Sequence, residues 1–214
     1  MRGDTTVNNL LRRLKEKQPW NKGKLMGQKA PLTAQEIWSI RMRLQDDQCV
    51  RDLALFNLAI DSKLRACDLL RIKVSDICSD GLVNGRATVV QQKTRRPVKF
   101  EITDRTKRSI EEWVQTASLG VSDCLFPSRQ KGSPHLSMRQ YTRIVSSWVS
   151  GIGLDPSLYG THSMRRTKPT LIYRQTKNLR AVQLLLGHSK LDSTVRYLGI
   201  EIDDALEMSE QIDV

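Results

Sequence analysis

The chain has 214 residues, enough for one domain with a sizeable core and a short appendage, and too few for two large domains. It carries 35 Lys and Arg residues against 23 Asp and Glu, a formal net charge of +12 that favours a polyanionic partner over an acidic small molecule. Nucleic acid is the leading candidate, with DNA and RNA equally compatible, and a merely soluble basic surface or an acidic membrane leaflet is the alternative.

Membrane insertion and export are not expected. No stretch approaches the roughly 20 apolar residues of a membrane span, and the N-terminus lacks the apolar core of a signal peptide. We therefore expect a cytoplasmic protein. The four cysteines lie far apart without metal-ligand spacing, and the histidines form no cluster with thiols or carboxylates. The sequence thus predicts reduced thiols, no bound metal and no cofactor.

Residues 1–30 are strongly basic and are predicted to form an N-terminal arm. Lys and Arg side chains can neutralise backbone phosphates, so this arm is a candidate nucleic-acid contact. The candidate contact residues are Arg12, Arg13, Lys15, Lys17, Lys22 and Lys24. A tail that stays disordered until it meets its partner is an equally good interpretation.

The folded domain is expected to begin just after this arm and to cover residues 31–200. Thr33 and Glu36 form a capping-box pattern, which predicts the start of a helix. A second helix is predicted from about Cys49 to Asp61, in a segment rich in Leu, Ala and Phe. That segment leads to Arg65, which we place at the start of a further helix.

Two β-like segments, Ala87 to Gln92 and Val98 to Ile102, predict a hairpin. The connection between them is polar and contains a proline, as expected of a turn. Lys93 should project from this turn. Arg95 and Arg96 lie beside it and are further candidate nucleic-acid contacts.

The rest of the chain is predicted to be helical, and the fold class is therefore α+β, mainly helical, with a small antiparallel sheet. The helices are expected at about Thr106 to Thr116, Ser137 to Ser150, His162 to Arg174, Asn178 to Leu186 and Leu191 to Tyr197. Thr161 is a candidate cap of the third of these. Pro169 falls inside the same helix and is expected to kink or end it, at a cost of about 3 kcal/mol.

Two short motifs lie in the C-terminal third and are followed by Tyr197. They read Thr161-His162-Ser163-Met164-Arg165-Arg166 and Leu184-Leu185-Leu186-Gly187-His188-Ser189. Together with the contexts of Arg65 and Lys93, they resemble the motifs of the tyrosine recombinases, over roughly residues 30–200. The chain resembles short members of that family that have the catalytic domain alone, because 30 residues are too few for a separate DNA-clamping domain.

The resemblance implies that Arg65 and Arg165 bind the phosphodiester that is cut. A guanidinium contacts two phosphate oxygens at once and stays charged when desolvated, so it can stabilise the extra negative charge of a five-coordinate phosphorus. Asp68 would orient Arg65. His162, one helical turn before Arg165, would accept the tyrosine proton or donate to the phosphate, and His188 would add another donor.

Tyr197 is the nucleophile that the resemblance implies, and its attack would leave a 3′-phosphotyrosine. Lys93 would protonate the departing 5′ oxygen, with Lys99 as its nearest rival. The reaction implied is site-specific recombination of DNA, such as integration, excision or inversion of a mobile segment. Because the phosphotyrosine conserves the energy of the bond, no ATP is required.

The family cycle usually takes four protomers, so the expected partners are double-stranded DNA and three further copies of the chain. Residues 201–214 contain acidic side chains and no Lys or Arg, and phosphate would repel them. This acidic tail either docks on a neighbouring subunit or folds back on its own domain.

Two other functions are compatible with parts of the pattern. A DNA-binding regulator without catalysis fits residues 179–198, which can be interpreted as helix, glycine turn and helix, but it leaves Tyr197 unexplained. A type IB topoisomerase would use a similar tyrosine cluster to relax supercoils, although the short arm argues mildly against a self-sufficient DNA clamp.

Overall fold

The computed structural model describes residues 28–130 and 132–200, together with Glu210. Its helices are α1 Ala34–Asp46, α2 Val50–Ser62, α3 Ala66–Leu69, α4 Val74–Ile77, α5 Asp104–Thr116, α6 Met138–Gly151, α7 Thr161–Thr176, α8 Leu179–Leu186 and α9 Leu191–Leu198. Its strands are β1 Cys78–Ser79, β2 Leu82–Val83, β3 Arg86–Val90 and β4 Pro97–Glu101. The predicted α+β class, mainly helical with small antiparallel sheets, is confirmed. The six arm residues from Arg12 to Lys24 and nearly all of the acidic tail lie outside the described residues.

Helix α2 lies at the centre of the main core. Every residue from Ala54 to Ser62 is buried, and the helix packs against α5 and α7. The predicted capping box at Thr33 is confirmed, with both of its hydrogen bonds to Glu36 formed at the start of α1. Among the described helices, none has the length and apolar character needed to cross a membrane.

Strands β3 and β4 form the predicted antiparallel hairpin, with Thr88 opposite Lys99. Val98 and Phe100 are buried while Lys99 is exposed, which is the alternation expected of a strand with one face on the core. The second hairpin, β1 with β2, was not predicted because strands of two residues are too short to show a period of two.

Helix α7 differs from the sequence prediction in two respects. Its N-cap is Gly160 and not Thr161, and the Ser163 hydroxyl accepts from the Gly160 N–H at 3.1 Å, which satisfies that end of the helix. Of the two predicted effects of Pro169, a kink or an end of the helix, the second is wrong, since α7 continues to Thr176. Pro169 is buried. The residue before it, Lys168, forms ion pairs with the carboxylates of Asp61 and Glu101, and these ion pairs hold this part of the helix.

Helices α8 and α9 and the C-terminal part of α7 form a small core beside the main one. Tyr173, Val182 and Leu186 are its buried members, and Tyr197 packs against them. The turn between the two helices is made by Gly187 with φ +67°, a left-handed conformation that glycine adopts without strain. Hydrogen bonds from Arg165 and Gln91 to the Leu186 carbonyl join the end of α8 to the main domain.

Candidate active site

Arg165 is buried in α7, with 3% of its surface exposed. Its Nη1 donates to the backbone carbonyl of Lys63 at 2.8 Å, and its Nη2 donates to the carbonyl of Leu186 at 3.0 Å. Burial lowers the pKa of the guanidinium, but arginine remains a cation in proteins. Both partners are neutral main-chain groups, so the charge of Arg165 is available to an anionic ligand.

Arg65 is the N-cap residue of α3, which confirms its predicted place at a helix start. Its Nη1 donates to Oε1 of Gln91 at 2.7 Å, and the Thr94 hydroxyl donates to the same oxygen at 3.0 Å. The amide of Gln91 donates in turn to the carbonyl of Leu186 at 3.5 Å. The buried Gln91 therefore joins Arg65, the β3–β4 turn and the end of α8, a role that the sequence analysis missed.

Asp68 does not pair with Arg65 in this structure, which differs from the expectation. The carboxylate is buried, and its Oδ1 accepts from the backbone N–H of Gln92 at 2.9 Å. Its Oδ2 is also buried and finds no hydrogen-bond partner among the described residues. Asp68 thus fixes the hairpin turn next to Lys93, and Gln91 takes the place beside Arg65.

Tyr197 lies on α9 among cationic and aromatic groups. Its ring is perpendicular to that of His188, with centroids 5.4 Å apart, and the guanidinium carbons of Arg165 and Arg166 lie 5.9 and 5.6 Å from its centre. Its hydroxyl is buried and makes no hydrogen bond to any described residue. Burial raises the pKa of Tyr197 to about 12, against the opposing effect of the two arginines. The phenol is therefore protonated until an additional group assists its ionisation.

The two histidines of the motifs are neutral near pH 7. Burial and the charges of Arg165 and Arg65 lower the pKa of His188 to about 4, and its Nδ1 lies 3.1 Å from the hydroxyl of Thr194. His162 is exposed in the first turn of α7. Partial desolvation lowers its pKa, and the positive charges of the neighbouring arginines lower it further. A neutral imidazole can accept a proton, so His162 is in the right state for a base.

These elements surround an open pocket of about 460 Å³. Its lining residues are Arg65, Thr94, Arg96, Gly187, His188, Ser189, Ser193 and Tyr197. Of the residues predicted from the sequence, Arg65, Arg96, His188 and Tyr197 line the pocket. Arg165 lies beside Tyr197, and His162 is not among the lining residues. Lys93 and Arg95 are exposed on the hairpin turn outside this lining, and Lys99 is exposed on β4.

A network of four charged residues under the site was not predicted. Lys63 and Lys168 bind Glu101 at 2.8 and 2.7 Å, and Lys168 also binds Asp61 at 2.7 Å. Arg166, buried and donating to the carbonyl of Lys29, was missed as well. The sequence contained one signal of this network. Asp61 is a charged residue at the end of a mostly apolar helical segment, and a charge that becomes buried there requires partners.

The pocket has the chemistry of a phosphodiester site. Fixed guanidinium groups match the doubly negative phosphorus centre that forms when an oxygen nucleophile attacks, and the one oxygen nucleophile predicted from the motifs lies beside them. Within residues 28–130 and 132–200, no group of three or more His, Cys, Asp or Glu side chains could hold a metal ion.

Comparison with known proteins identifies the same family that the sequence motifs resemble, and the match covers most of the chain. The phage integrase family model matches residues 31–201. The probable integrase/recombinase YoeC of Bacillus subtilis is 31% identical over 153 residues, which are 72% of this chain and 80% of YoeC. The tyrosine recombinase XerC of Neisseria gonorrhoeae is 30% identical over 170 residues, which are 78% of this chain and 52% of XerC. The chain thus spans about half the length of the XerC relatives it matches.

The fold also matches solved structures. The XerH site-specific recombinase, bound to a palindromic difH substrate after cleavage, superimposes with a TM-score of 0.68 at 22% identity. The match covers 86% of this chain and 53% of the XerH chain, and at that identity it establishes the fold. By the family match and the identity to YoeC, the chain belongs to the phage integrase family of tyrosine recombinases.

Proposed function

We propose that this chain is the catalytic part of a site-specific DNA recombinase that cuts and rejoins strands through Tyr197. One observation supports this above the others. The Tyr197 hydroxyl is buried without a hydrogen-bond partner among the described residues, and its ring lies between His188 and two guanidinium groups beside an open pocket. The core residue Tyr141 also has a buried hydroxyl without a partner, so what distinguishes Tyr197 is its place beside cationic groups and an open pocket.

In the proposed cleavage step, the Tyr197 oxygen attacks a phosphorus of the DNA backbone and the bond from phosphorus to the 5′ oxygen breaks. The products are a 3′-phosphotyrosine and a free 5′ hydroxyl. The phenolic proton passes to His162, directly or through water, and Arg65 and Arg165 stabilise the negative charge on the non-bridging oxygens. In the joining step, the 5′ hydroxyl of a partner strand attacks the phosphotyrosine and Tyr197 recovers its proton.

Lys93 is the proposed proton donor to the departing 5′ oxygen. It lies on the hairpin turn that Asp68 holds through Gln92, and its neighbour Thr94 lines the pocket. A small displacement of the turn when DNA binds would carry the Lys93 ammonium toward the site. Arg96, which also lines the pocket, and the exposed Arg95 are proposed to bind flanking phosphates.

The net charge of +12 supports DNA as the partner, as does the similarly folded Lambda integrase, which was solved bound to DNA. Complete exchange cuts two strands on each of two duplexes, and each cut uses one Tyr197. We therefore propose four copies on a pair of double-stranded sites, with the basic arm, residues 1–30, neutralising phosphates and the acidic tail, residues 201–214, docking on a neighbouring subunit.

The proposal is tested with paired duplexes that carry candidate sites from the gene's own neighbourhood. Recombinant products of the expected length support site-specific exchange. Relaxation of a supercoiled plasmid that lacks any site would instead indicate a topoisomerase. Tight binding to the duplexes without any strand cleavage would indicate a regulator.

A further inference from the structure

Lys63 is a fully buried lysine whose ammonium makes three hydrogen bonds. Its Nζ donates to both carboxylate oxygens of Glu101, each at 2.8 Å, and to the backbone carbonyl of Asp61 at 2.7 Å. The lysine side chain is 0% exposed. All three protons of the ammonium are therefore used, and the charge has a defined position.

The same group of charges continues into α7. Lys168 donates to Oδ1 of Asp61 and to Oε1 of Glu101, each at 2.7 Å. The other oxygen of Asp61 accepts from the backbone and hydroxyl of Thr103 and from the hydroxyl of Thr106. Two cations and two anions thus form one neutral unit that ties the end of α2 to β4, to the start of α5 and to α7.

The backbone of Lys63 has an unusual conformation that serves Arg165. Its φ is 55° and its ψ 20°, in the left-handed region that disfavours residues with a side chain. In this conformation the Lys63 carbonyl accepts from Nη1 of Arg165 at 2.8 Å. Lys63 is the residue that ends α2, a place where the left-handed conformation is common, and the three hydrogen bonds of its ammonium fix the side chain of this residue as well.

We propose that Asp61, Lys63, Glu101 and Lys168 form a positioning unit for Arg165. The unit acts at two points. It fixes the Lys63 carbonyl that holds the guanidinium, and through Lys168 it fixes α7 one helical turn beyond Arg165 itself. The four residues do not touch the reacting phosphate, so they are positioning residues and not catalytic ones.

Stability alone is a weak reason for such a unit. Buried ion pairs cost about as much in desolvation as they gain in attraction, and apolar side chains of similar size often stabilise a core as well or better. A fixed carbonyl facing Arg165 is something that apolar packing would not provide. The inference rests on the proposed function insofar as Arg165 acts on a phosphate, but the position of the guanidinium can be measured without catalysis.

The test is Lys63→Gly, with Lys177→Gly as a matched control. Glycine favours the left-handed backbone, so Lys63→Gly removes the ammonium while relieving the strain. Lys177 has φ 52° at the end of α7, but it is exposed and belongs to no ion pair of the described residues; its ammonium lies 5.7 Å from the centre of the Tyr173 ring. Two readouts are needed: single-turnover DNA cleavage, and solvent exchange of the assigned Arg165 guanidinium protons by nuclear magnetic resonance.

For Lys63→Gly we expect cleavage to fall by about tenfold to a hundredfold, with DNA affinity changed by less than about twofold. The Arg165 guanidinium protons should exchange at least about tenfold faster. Lys177→Gly should change neither. In an Arg165→Lys background, Lys63→Gly should cost nothing further, because its effect passes through Arg165.

The inference is overturned if Lys63→Gly matches Lys177→Gly in cleavage and in proton exchange. If the parent chain cleaves no DNA, the proposed function fails, and the exchange of the Arg165 protons still decides the inference. Should Lys63→Gly unfold at the assay temperature, Glu101→Gln replaces it, since it keeps the size of the side chain and removes the charge. The same two readouts then apply, and unchanged values again overturn the inference.

Discussion

Gly187 lies against Val98, so closely that a Cβ atom at position 187 would be 2.6 Å from Cγ2 of the valine. The glycine is also left-handed, with φ +67°. The turn before His188 therefore packs directly on β4, the strand that follows the Lys93 turn. This contact sets the distance between the hairpin and the helix that carries Tyr197.

Gly187→Ala should damage both stability and activity. The left-handed strain and the clash together are expected to lower the free energy of unfolding by about 2–4 kcal/mol and to displace His188. Urea denaturation and DNA cleavage measure the two effects.

The control for this change is Gly153→Ala, where φ is +80° but nothing lies within 4 Å of the added carbon. It should cost only the backbone strain, about 1–2 kcal/mol, and leave cleavage unchanged. Adding Val98→Ala to Gly187→Ala should recover part of the loss. Equal effects of the two glycine changes would show that the contact with Val98 is unimportant.

Arg165→Lys should remove most of the cleavage activity while leaving the fold intact. A lysine carries its N–H groups on one nitrogen, so it cannot replace the two Nη atoms that bond the Lys63 and Leu186 carbonyls and also present a planar pair of donors to a phosphate. We expect the single-turnover rate to fall by about 10²–10³-fold, with DNA binding nearly unchanged. Arg143→Lys, on the exposed face of α6, is the control. A loss below about threefold would contradict the assigned role of Arg165.

The stability of the chain should depend on pH through Asp61. Desolvation alone would raise the pKa of this carboxyl, but hydrogen bonds from Lys168 and Thr106 outweigh it, so the pKa lies below its ordinary value of 3.8. A carboxyl whose pKa is lowered in the folded state stabilises the fold at pH values above 3.8. This contribution is lost as the pH falls through the pKa of the folded state.

Urea denaturation between pH 7 and pH 2.5 checks this expectation. The free energy of unfolding should decrease on the acid side of about pH 4, and the decrease should be smaller in Asp61→Asn, which has one titrating carboxyl fewer. Glu101 shares the unit and also has a lowered pKa, so part of the decrease remains. An identical acid limb in both proteins would mean that Asp61 does not contribute.

Pro169→Ala should stabilise the protein without changing its catalysis. Because proline has no N–H, the Arg165 carbonyl lacks its partner within the helix. Alanine restores this hydrogen bond and should recover part of the cost of a proline inside a helix, which is about 3 kcal/mol. Because α7 continues through Pro169 and the site residues of that helix, His162 and Arg165, precede it, cleavage should stay within about twofold. A large gain in cleavage would mean that the proline disturbs His162 or Arg165.

Local patterns predicted the elements well because local interactions determine them. The capping box at Thr33 and the alternation at Val98 and Phe100 depend on residues within a few positions. An end of the helix at Pro169 was wrongly allowed for because propensity alone disfavours proline there, whereas the ion pairs of Lys168 hold that stretch of α7 in place.

The arrangement of the site was harder to predict because it depends on contacts between distant segments. Motifs identified Arg65, Arg165, His188 and Tyr197, and the fold brings them together. Asp68, three residues after Arg65, was expected from the family resemblance to orient that arginine. In the structure the β3–β4 hairpin lies against α3, so Asp68 binds the hairpin turn and Gln91 contacts Arg65. No local sequence pattern shows which hairpin residue will meet this helix.

The most direct measurement is covalent trapping. The chain is incubated with nicked duplexes that carry candidate sites, so that the cut end diffuses away, and the denatured mixture is separated by electrophoresis and analysed by mass spectrometry. We predict a protein–DNA adduct on the peptide that contains Tyr197, absent in Tyr197→Phe although that variant binds the same DNA. An adduct that persists in Tyr197→Phe, or no adduct at any site the chain binds, would contradict the assignment of Tyr197 as the nucleophile.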